Sequence, residues 1–300
     1  MSLPPVHRAT RDGSRVAFVT CAELPGVDHG DQPLADALAR RGVAVEAVPW
    51  DAPGADWAAY SLVVLRSPWD YTDRRDAFLA WAATVPALAN PADVVAWNTD
   101  KQYLRDLAGL PVVDTGWVAP GESWTAPGTG EWVVKPTVSA GGRDTGRYAM
   151  PAEAALAAAH VERLGRAGRV AMVQPYLAAV DTVGETALVF TSGADGRLGL
   201  SHAIRKDALL DGPDAGVDGL YRTERITARE PSDAELAVAG RVLAAVPGGA
   251  DRLLYARVDL IPGPDGEPRL LELELTEPSL FFDVAPRCAE RLADGIAARL

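Results

Sequence analysis

Residues 253–276 read LLYARVDLIPGPDGEPRLLELELT, two apolar stretches on either side of a turn through Pro262, Gly263, Pro264, Asp265 and Gly266. Apolar runs punctuated by Gly and Pro predict a β-hairpin with strands over 253–261 and 269–276. Side chains alternate across a strand, so Glu272 and Glu274 share one face, with Leu271, Leu273 and Leu275 on the other. Pairing Ile261 with Leu270 sets Asp259 opposite Glu272 on that face, whereas pairing Ile261 with Arg269 separates them. In the first register three carboxylates converge, and their repulsion and desolvation call for a cation. Hard oxygen ligands of this kind suit magnesium held between carboxylates and phosphates; the alternative is a solvated strand face. Arg257, two residues before Asp259, points the same way. It either meets charge developing on a phosphoryl group or acyl oxygen, or simply neutralises the acids.

Working outward, strands at 186–191 and 197–204 and helices at 232–245 and 286–300 predict an antiparallel sheet with helices on one face. The first 97 residues read differently. A strand at 15–21, a helix around Leu34 to Arg41 closed by Gly42, strands at 43–48 and 61–66 and a helix at 74–83 alternate as in a parallel sheet covered by helices. In such units loops at the carboxyl ends of the strands flank the ligand crevice. That places Glu23, Asp28, Arg66, Trp69 and Asp70 as candidates to meet a substrate, and Glu277 and Ser279 join them from beyond the hairpin. After Asn90-Pro91, a helix capped by Asn98 or Thr99 runs through Leu107. Strands at 112–118, 131–135 and 170–174, a glycine-rich loop at 139–146 and an alanine-rich helix at 152–165 make a small α+β unit. Three parts are expected: 15–97, 98–173 and 174–300. The Gly/Asp-rich segment 207–219 reads as a mobile loop.

Of the 29 basic residues only Lys101, Lys135 and Lys206 are lysine. Lys135 ends the apolar strand Trp132-Val133-Val134 and precedes Ser139-Ala140-Gly141-Gly142. A lysine buried there needs an anion, and glycines let backbone N–H groups approach one; the alternative is an ordinary hairpin. No Gly-Lys-Ser/Thr follows, so this is not a Walker A loop, and no G-x-G-x-x-G follows the first strand. Gln174-Pro175-Tyr176-Leu177 closes another apolar strand, with Asp181 seven residues after Gln174; a plain hinge is the alternative.

At 300 residues, 48% hydrophobic and 23% charged, the chain should bury a sizeable core. Its net charge of −12 disfavours nucleic acid or an anionic membrane as partner. Cys21 and Cys288 form no CxxC or Cys/His grouping, so neither a disulfide framework nor a zinc site is expected, and a reducing cytoplasm fits. Residues 1–15 are polar, and no run approaches a membrane span, so a soluble, untargeted protein is expected.

Taken in order, these pieces resemble the ATP-grasp superfamily: a lysine at a helix start, a strand-end lysine before a glycine-rich flap, a Gln-x-Tyr-Leu hinge, an Arg-x-Asp, then Glu-x-Glu. The stretches Arg66-Ser67-Pro68-Trp69-Asp70-Tyr71, residues 90–101, Val138-Ser139-Ala140-Gly141 and residues 272–280 are similar to the branch containing the cycloserine-forming O-ureido-serine cyclo-ligases. The resemblance implies an α/β and α+β fold with an N-terminal open α/β domain, a small lid subdomain and a C-terminal antiparallel-sheet subdomain. It implies ATP and two magnesium ions. Lys101 and Lys135 would bind phosphates under a flap from Ser139 to Gly142. Gln174, Tyr176 and Leu177 would line the adenine pocket, and Asp181 would hold the ribose. Arg205 would contact the terminal phosphate, Asp259, Glu272 and Glu274 the metal, and Arg257 the acyl phosphate. Glu274 departs from the asparagine of many relatives, and Lys206 matches no position in the pattern. The implied reaction activates a small carboxylate as an acyl phosphate, releasing ADP, and couples it to a nitrogen nucleophile. That nucleophile could belong to the same ureido amino acid or to a second substrate, and a non-catalytic nucleotide-binding module is the alternative from another class. A homodimer is compatible with all of these.

Overall fold

The computed structural model describes residues 14–216, 220 and 225–300. The expectations for residues 1–13 and 217–219 fall outside them. Among the described residues, three sheets organise the fold. The first is parallel, in the order β2-β1-β3-β4, built from β1 (Arg15–Thr20), β2 (Ala44–Pro49), β3 (Leu62–Leu65) and β4 (Leu88–Ala89). Its helices are α1 (Gln32–Arg40), α2 (Arg75–Ala82) and α3 (Ala92–Asn98). Leu34, Ala37 and Leu38 recur at helical spacing and bury one face of α1, and Gly42 ends it at φ 73°. The order places a switch point between β1 and β3, where a ligand crevice opens at the strands' carboxyl ends.

The second sheet is antiparallel, β5-β8-β6-β7, from β5 (Gly116–Val118), β6 (Gly130–Pro136), β7 (Gly146–Met150) and β8 (Ala171–Pro175), with α4 (Ala154–Arg166) against it. The glycine-rich loop is therefore shorter than expected, because Gly146 already opens β7. The third sheet, β11-β10-β9-β12-β13, contains β9 (Glu185–Ser192), β10 (Leu198–Lys206), β11 (Ile226–Arg229), β12 (Tyr255–Pro262) and β13 (Pro268–Glu274).

Its helices are α5 (Asp233–Ala244), started by a Ser232/Glu235 capping box, and α6 (Ala289–Ala297). They do not lie on one face as expected. Val238, Ala239 and Val242 of α5 pack with Leu188, Val258 and Leu273. Leu292 and Ile296 of α6 pack with Val189 and Tyr255, and with Val16, Phe18 and Leu34 of the first sheet and α1. Strand β9 is apolar on both faces, so each face needs a cover.

The segment after α3 is a 3₁₀ turn, Lys101–Arg105, not a long helix, and its cap is Asp100, which accepts from Gln102 N. Asn98 instead ends α3 and turns its amide to Leu273 O and Leu275 N. Tyr103, Leu104 and Leu107, with Val94 before them, join the core of the third sheet. The loop after β10 is fastened in its described part: Arg147 N donates to Gly212 O at 2.8 Å and the Arg163 guanidinium reaches Asp214 at 2.6 Å.

Candidate active site

A cavity of about 470 Å³ opens where the three sheets meet. Its floor is the hairpin β12–β13. Asp259 pairs with Glu272 and Arg257 with Glu274, yet Ile261 pairs with Arg269, the register expected to separate the acids. Both hold because a bulge falls between Asp259 and Leu260, with Leu271 as the surplus residue on β13. The bulge also turns Leu271 out of the core, where it was expected beside Leu273 and Leu275, and into the cavity wall.

Each acid on this face meets a side-chain cation. Lys101 Nζ lies 3.1 Å from Glu272 and donates to Ser139 O at 2.7 Å, linking the hairpin to the glycine loop. Arg257 holds Asp259 through two bonds of 2.9 Å, contacts Glu274 and donates to Ser279 O at 3.0 Å. Lys206 bridges Glu185 and Asp259. Burial would raise Asp259, but Arg257 and Lys206 outweigh it and hold the carboxyl below the usual range. Burial likewise opposes ionisation of Glu272, and Lys101 with Lys135 keeps it ionised. Glu274 goes the other way, pushed by burial up to about 8 despite Arg257. Lys135, at the end of β6, reaches the same cavity with no carboxylate at ion-pair distance among the described residues, and burial lowers its pKa. An ammonium so placed is ready for an anion.

Gly141 and Gly142 continue the wall with φ of 61° and 70°, conformations that favour glycine. Gln174, Tyr176 and Leu177 line an apolar slot with Val133, Ile261 and Leu271. Asp181 stands at the rim, outside the lining, where it accepts from the Tyr176 hydroxyl at 2.5 Å.

The neighbours Arg205 and Lys206 point to opposite faces of β10. Lys206 lines the cavity; Arg205 does not, donating instead to Thr182 O and facing Asp207. Arg205, expected to contact the terminal phosphate, thus lies outside the cavity lining, and Lys206, which matched no pattern, lies inside it. At the other end of the cavity, Asp28, Arg66, Trp69, Glu277 and Ser279 are brought together. Arg66 is already engaged by Asp31, at 2.8 and 3.0 Å, and by Pro278 O. Two expected substrate residues are elsewhere. Glu23 is exposed and outside the lining, and Asp70 is spent on Trp50 Nε1 and Arg74. Glu185, Asp31 and Tyr71 also line the cavity without having been singled out; Asp31 and Tyr71 carried a signal, their places in the loops after β1 and β3, and Glu185 carried none.

Among the described residues no three His, Cys, Asp or Glu side chains form a ready metal cage. The donor set still fits magnesium, which is commonly held by one or two carboxylates plus substrate phosphates. Glu272 and Glu274 offer hard oxygens to the cavity; Asp259 shares their face but lies behind the lining, held by Arg257 and Lys206, and lysine and arginine now supply the positive charge all three require.

A family model described as "D-cycloserine synthetase DcsG, N-terminal domain" matches residues 16–92. The cycloserine biosynthesis protein DcsG of Streptomyces lavendulae is 38% identical over 305 residues, covering 95% of this chain and 98% of its own. The crystal structure of D-cycloserine synthetase DcsG is similar with a TM-score of 0.81 and 36% identity, covering 95% of this chain and 99% of that one. The ATP-grasp ligase PsnB, in complex with a precursor variant, Mg and ADP, shares the fold at a TM-score of 0.59 and 22% identity, over 96% and 99% of the two chains. No helix among the described residues is long and apolar enough to cross a membrane. Identity sustained over nearly the whole length, on top of a shared fold, means that the chain belongs to the D-cycloserine synthetase DcsG family of ATP-grasp carboxylate–amine ligases.

Proposed function

We propose that the enzyme closes a ring within one small ureido amino acid such as O-ureido-serine, using ATP to activate its carboxylate as an acyl phosphate. The observation that carries this reading is the convergence of Lys101, Lys135, Lys206 and Arg257 on the carboxylate face of β12–β13, inside one cavity.

The three ammonium groups hold the phosphate chain, and Lys206 is placed to meet its terminal group. The slot formed by Val133, Leu177, Ile261 and Leu271 takes the adenine, with Gln174 and the Tyr176 backbone at its edge. Asp259, Glu272 and Glu274 would hold magnesium, one ion or two, which when bound offsets charge between the phosphates. Arg257 lies where negative charge builds on the acyl group. Such positioning needs no enzyme nucleophile. The glycine loop, tied to the floor by Lys101, excludes water from an intermediate that hydrolysis would waste. The free Cys21 and Cys288 suit a cytoplasmic setting.

The test is product analysis with ATP, magnesium and O-ureido-serine. ADP, phosphate and a cyclised product are expected with no added amine. AMP with pyrophosphate would overturn the acyl-phosphate route, dependence on a second amine would make the enzyme a two-substrate ligase, and nucleotide binding without turnover would make it a binding module.

A further inference from the structure

Glu277 lies just past β13 at the substrate end of the cavity. Both of its attachments come from the loop after β3. The Tyr71 hydroxyl hydrogen-bonds its carboxylate, and Trp69 Nε1 donates to its backbone carbonyl at 3.2 Å. Its setting differs from that of the other acids around the cavity. Glu185, Glu272 and Glu274 each meet a lysine or arginine. Asp31 is locked to Arg66, Asp28 caps the turn His29–Asp31, Asp207 faces Arg205, and Asp283 is exposed. Glu277 makes no ion pair among the described residues and is held by a neutral phenol. The charged groups that face it at longer range are Lys101, Glu272 and Arg257.

Ring closure leaves one proton to be placed. The attacking nitrogen carries a hydrogen that must depart once its lone pair has bonded to carbon. Lys101, Lys135, Lys206 and Arg257 are cations and cannot take it, and the acids of the β12–β13 face are committed to positive charge. We propose that Glu277 is the general base of the second half-reaction, with Tyr71 as the residue that positions it. This rests on the ligase reading above. The nitrogen lone pair forms the C–N bond to the acyl carbon, the bond from that carbon to the phosphate oxygen breaks with its electron pair leaving on phosphate, and the nitrogen proton passes to a Glu277 carboxylate oxygen. Burial pushes the Glu277 carboxyl up to about 7, partly offset by Tyr71, so the base is matched to neutral pH.

Glu277→Gln keeps the side chain's shape and an oxygen for the Tyr71 hydroxyl. The assay measures the two halves separately with ATP, magnesium and O-ureido-serine: acyl phosphate captured by added hydroxylamine as hydroxamate, and cyclised product formed per ADP. Hydroxamate formation is expected to stay within about threefold of the parent while product per ADP falls by about 10²-fold, the usual worth of a general base. The rise of cyclisation rate through about pH 7 should vanish in the variant. Unchanged product per ADP, or a retained rise through pH 7, would overturn the assignment. Tyr71→Phe provides a second test. Loss of its hydrogen bond raises the Glu277 pKa, so the limb should move to higher pH; an unmoved limb would count against the pair. Absence of both ADP and hydroxamate in the parent enzyme would instead defeat the ligase reading.

Discussion

Asp259 stands opposite Glu272 across the last hairpin although Ile261, two residues on, is already paired with Arg269, and the slack between the two registers is taken up by Leu271. The bulge does two things at once. It keeps three acids on one face, and it moves a leucine from the core into the cavity wall.

Leu271→Ala should therefore act on nucleotide affinity more than on chemistry. Removing that apolar contact is worth about 1 kcal/mol, so the KM for ATP should rise about fivefold with kcat little changed. Steady-state kinetics at saturating amino acid check this; a fall in kcat with an unchanged KM would show that Leu271 does not touch the nucleotide.

Lys206 and Arg205 are adjacent in the chain and lie on opposite faces of β10, one lining the cavity and the other not. Lys206→Met should lower turnover by about 10²-fold or more, the scale on which a charge aimed at a reacting group is felt. Arg205→Met, on the far face of β10, should stay within about threefold of the parent. Thermal melts run beside the assays separate this from unfolding, since Lys206→Met also leaves Glu185 and Asp259 short of a partner. Equal losses in the two variants would contradict the assignment.

Asn90 is fully buried, and its amide accepts from Leu254 N at 2.6 Å and donates to Tyr255 O at 2.9 Å and Leu275 O at 2.7 Å. It joins the end of the first sheet to two strands of the third. Asn90→Ala leaves those buried groups unmet, and urea unfolding should show a loss of about 3 kcal/mol. A loss below about 1 kcal/mol would mean that water or a neighbour replaces the amide.

The ligand-free protein should lose stability as pH rises from about 7 to about 8, above the range in which ordinary histidines titrate. Burial raises Glu274 to about 8 and Glu277 to about 7, so the folded state holds protons that the unfolded chain, with ordinary carboxyls, has released. This contribution is complete below the ordinary carboxylate pKa and disappears as pH passes the folded values, at up to about 1.4 kcal/mol per pH unit for each proton held. Asp259, depressed by Arg257 and Lys206, acts oppositely in strong acid, and His160 and His202, whose pKa burial lowers, act oppositely below the ordinary histidine range. Chemical denaturation without magnesium or nucleotide across this range measures the slope; a flat profile would refute it.

Much of the site was legible because its chemistry repeats with the strand. Alternating Glu272-Leu273-Glu274 separates a polar face from an apolar one, and the scarcity of lysine singles out Lys101, Lys135 and Lys206. The illegible parts have physical causes. A bulge is one extra residue with no mark in a run of leucines. Arg205 and Lys206 are equivalent cations until the phase of β10 is known, and that phase slips near Leu200. Alternation was also silent about β9, whose residues from Thr186 to Ser192 are all buried, so the two-sided placement of α5 and α6 could not be read from it. Loop position alone did not distinguish Arg66, which reaches the cavity, from Asp70, which braces Trp50 and Arg74.

The helix that closes the chain, α6, lies against α1, where Arg41 clasps Glu290 and Asp294. Leu292 and Ile296 complete the cover over Val16 and Phe18. During synthesis the earliest strands must wait, partly bare, until residues 289–297 have emerged to cover them. Loss of α6 would therefore strip the cover from the opening sheet, at the far end of the sequence.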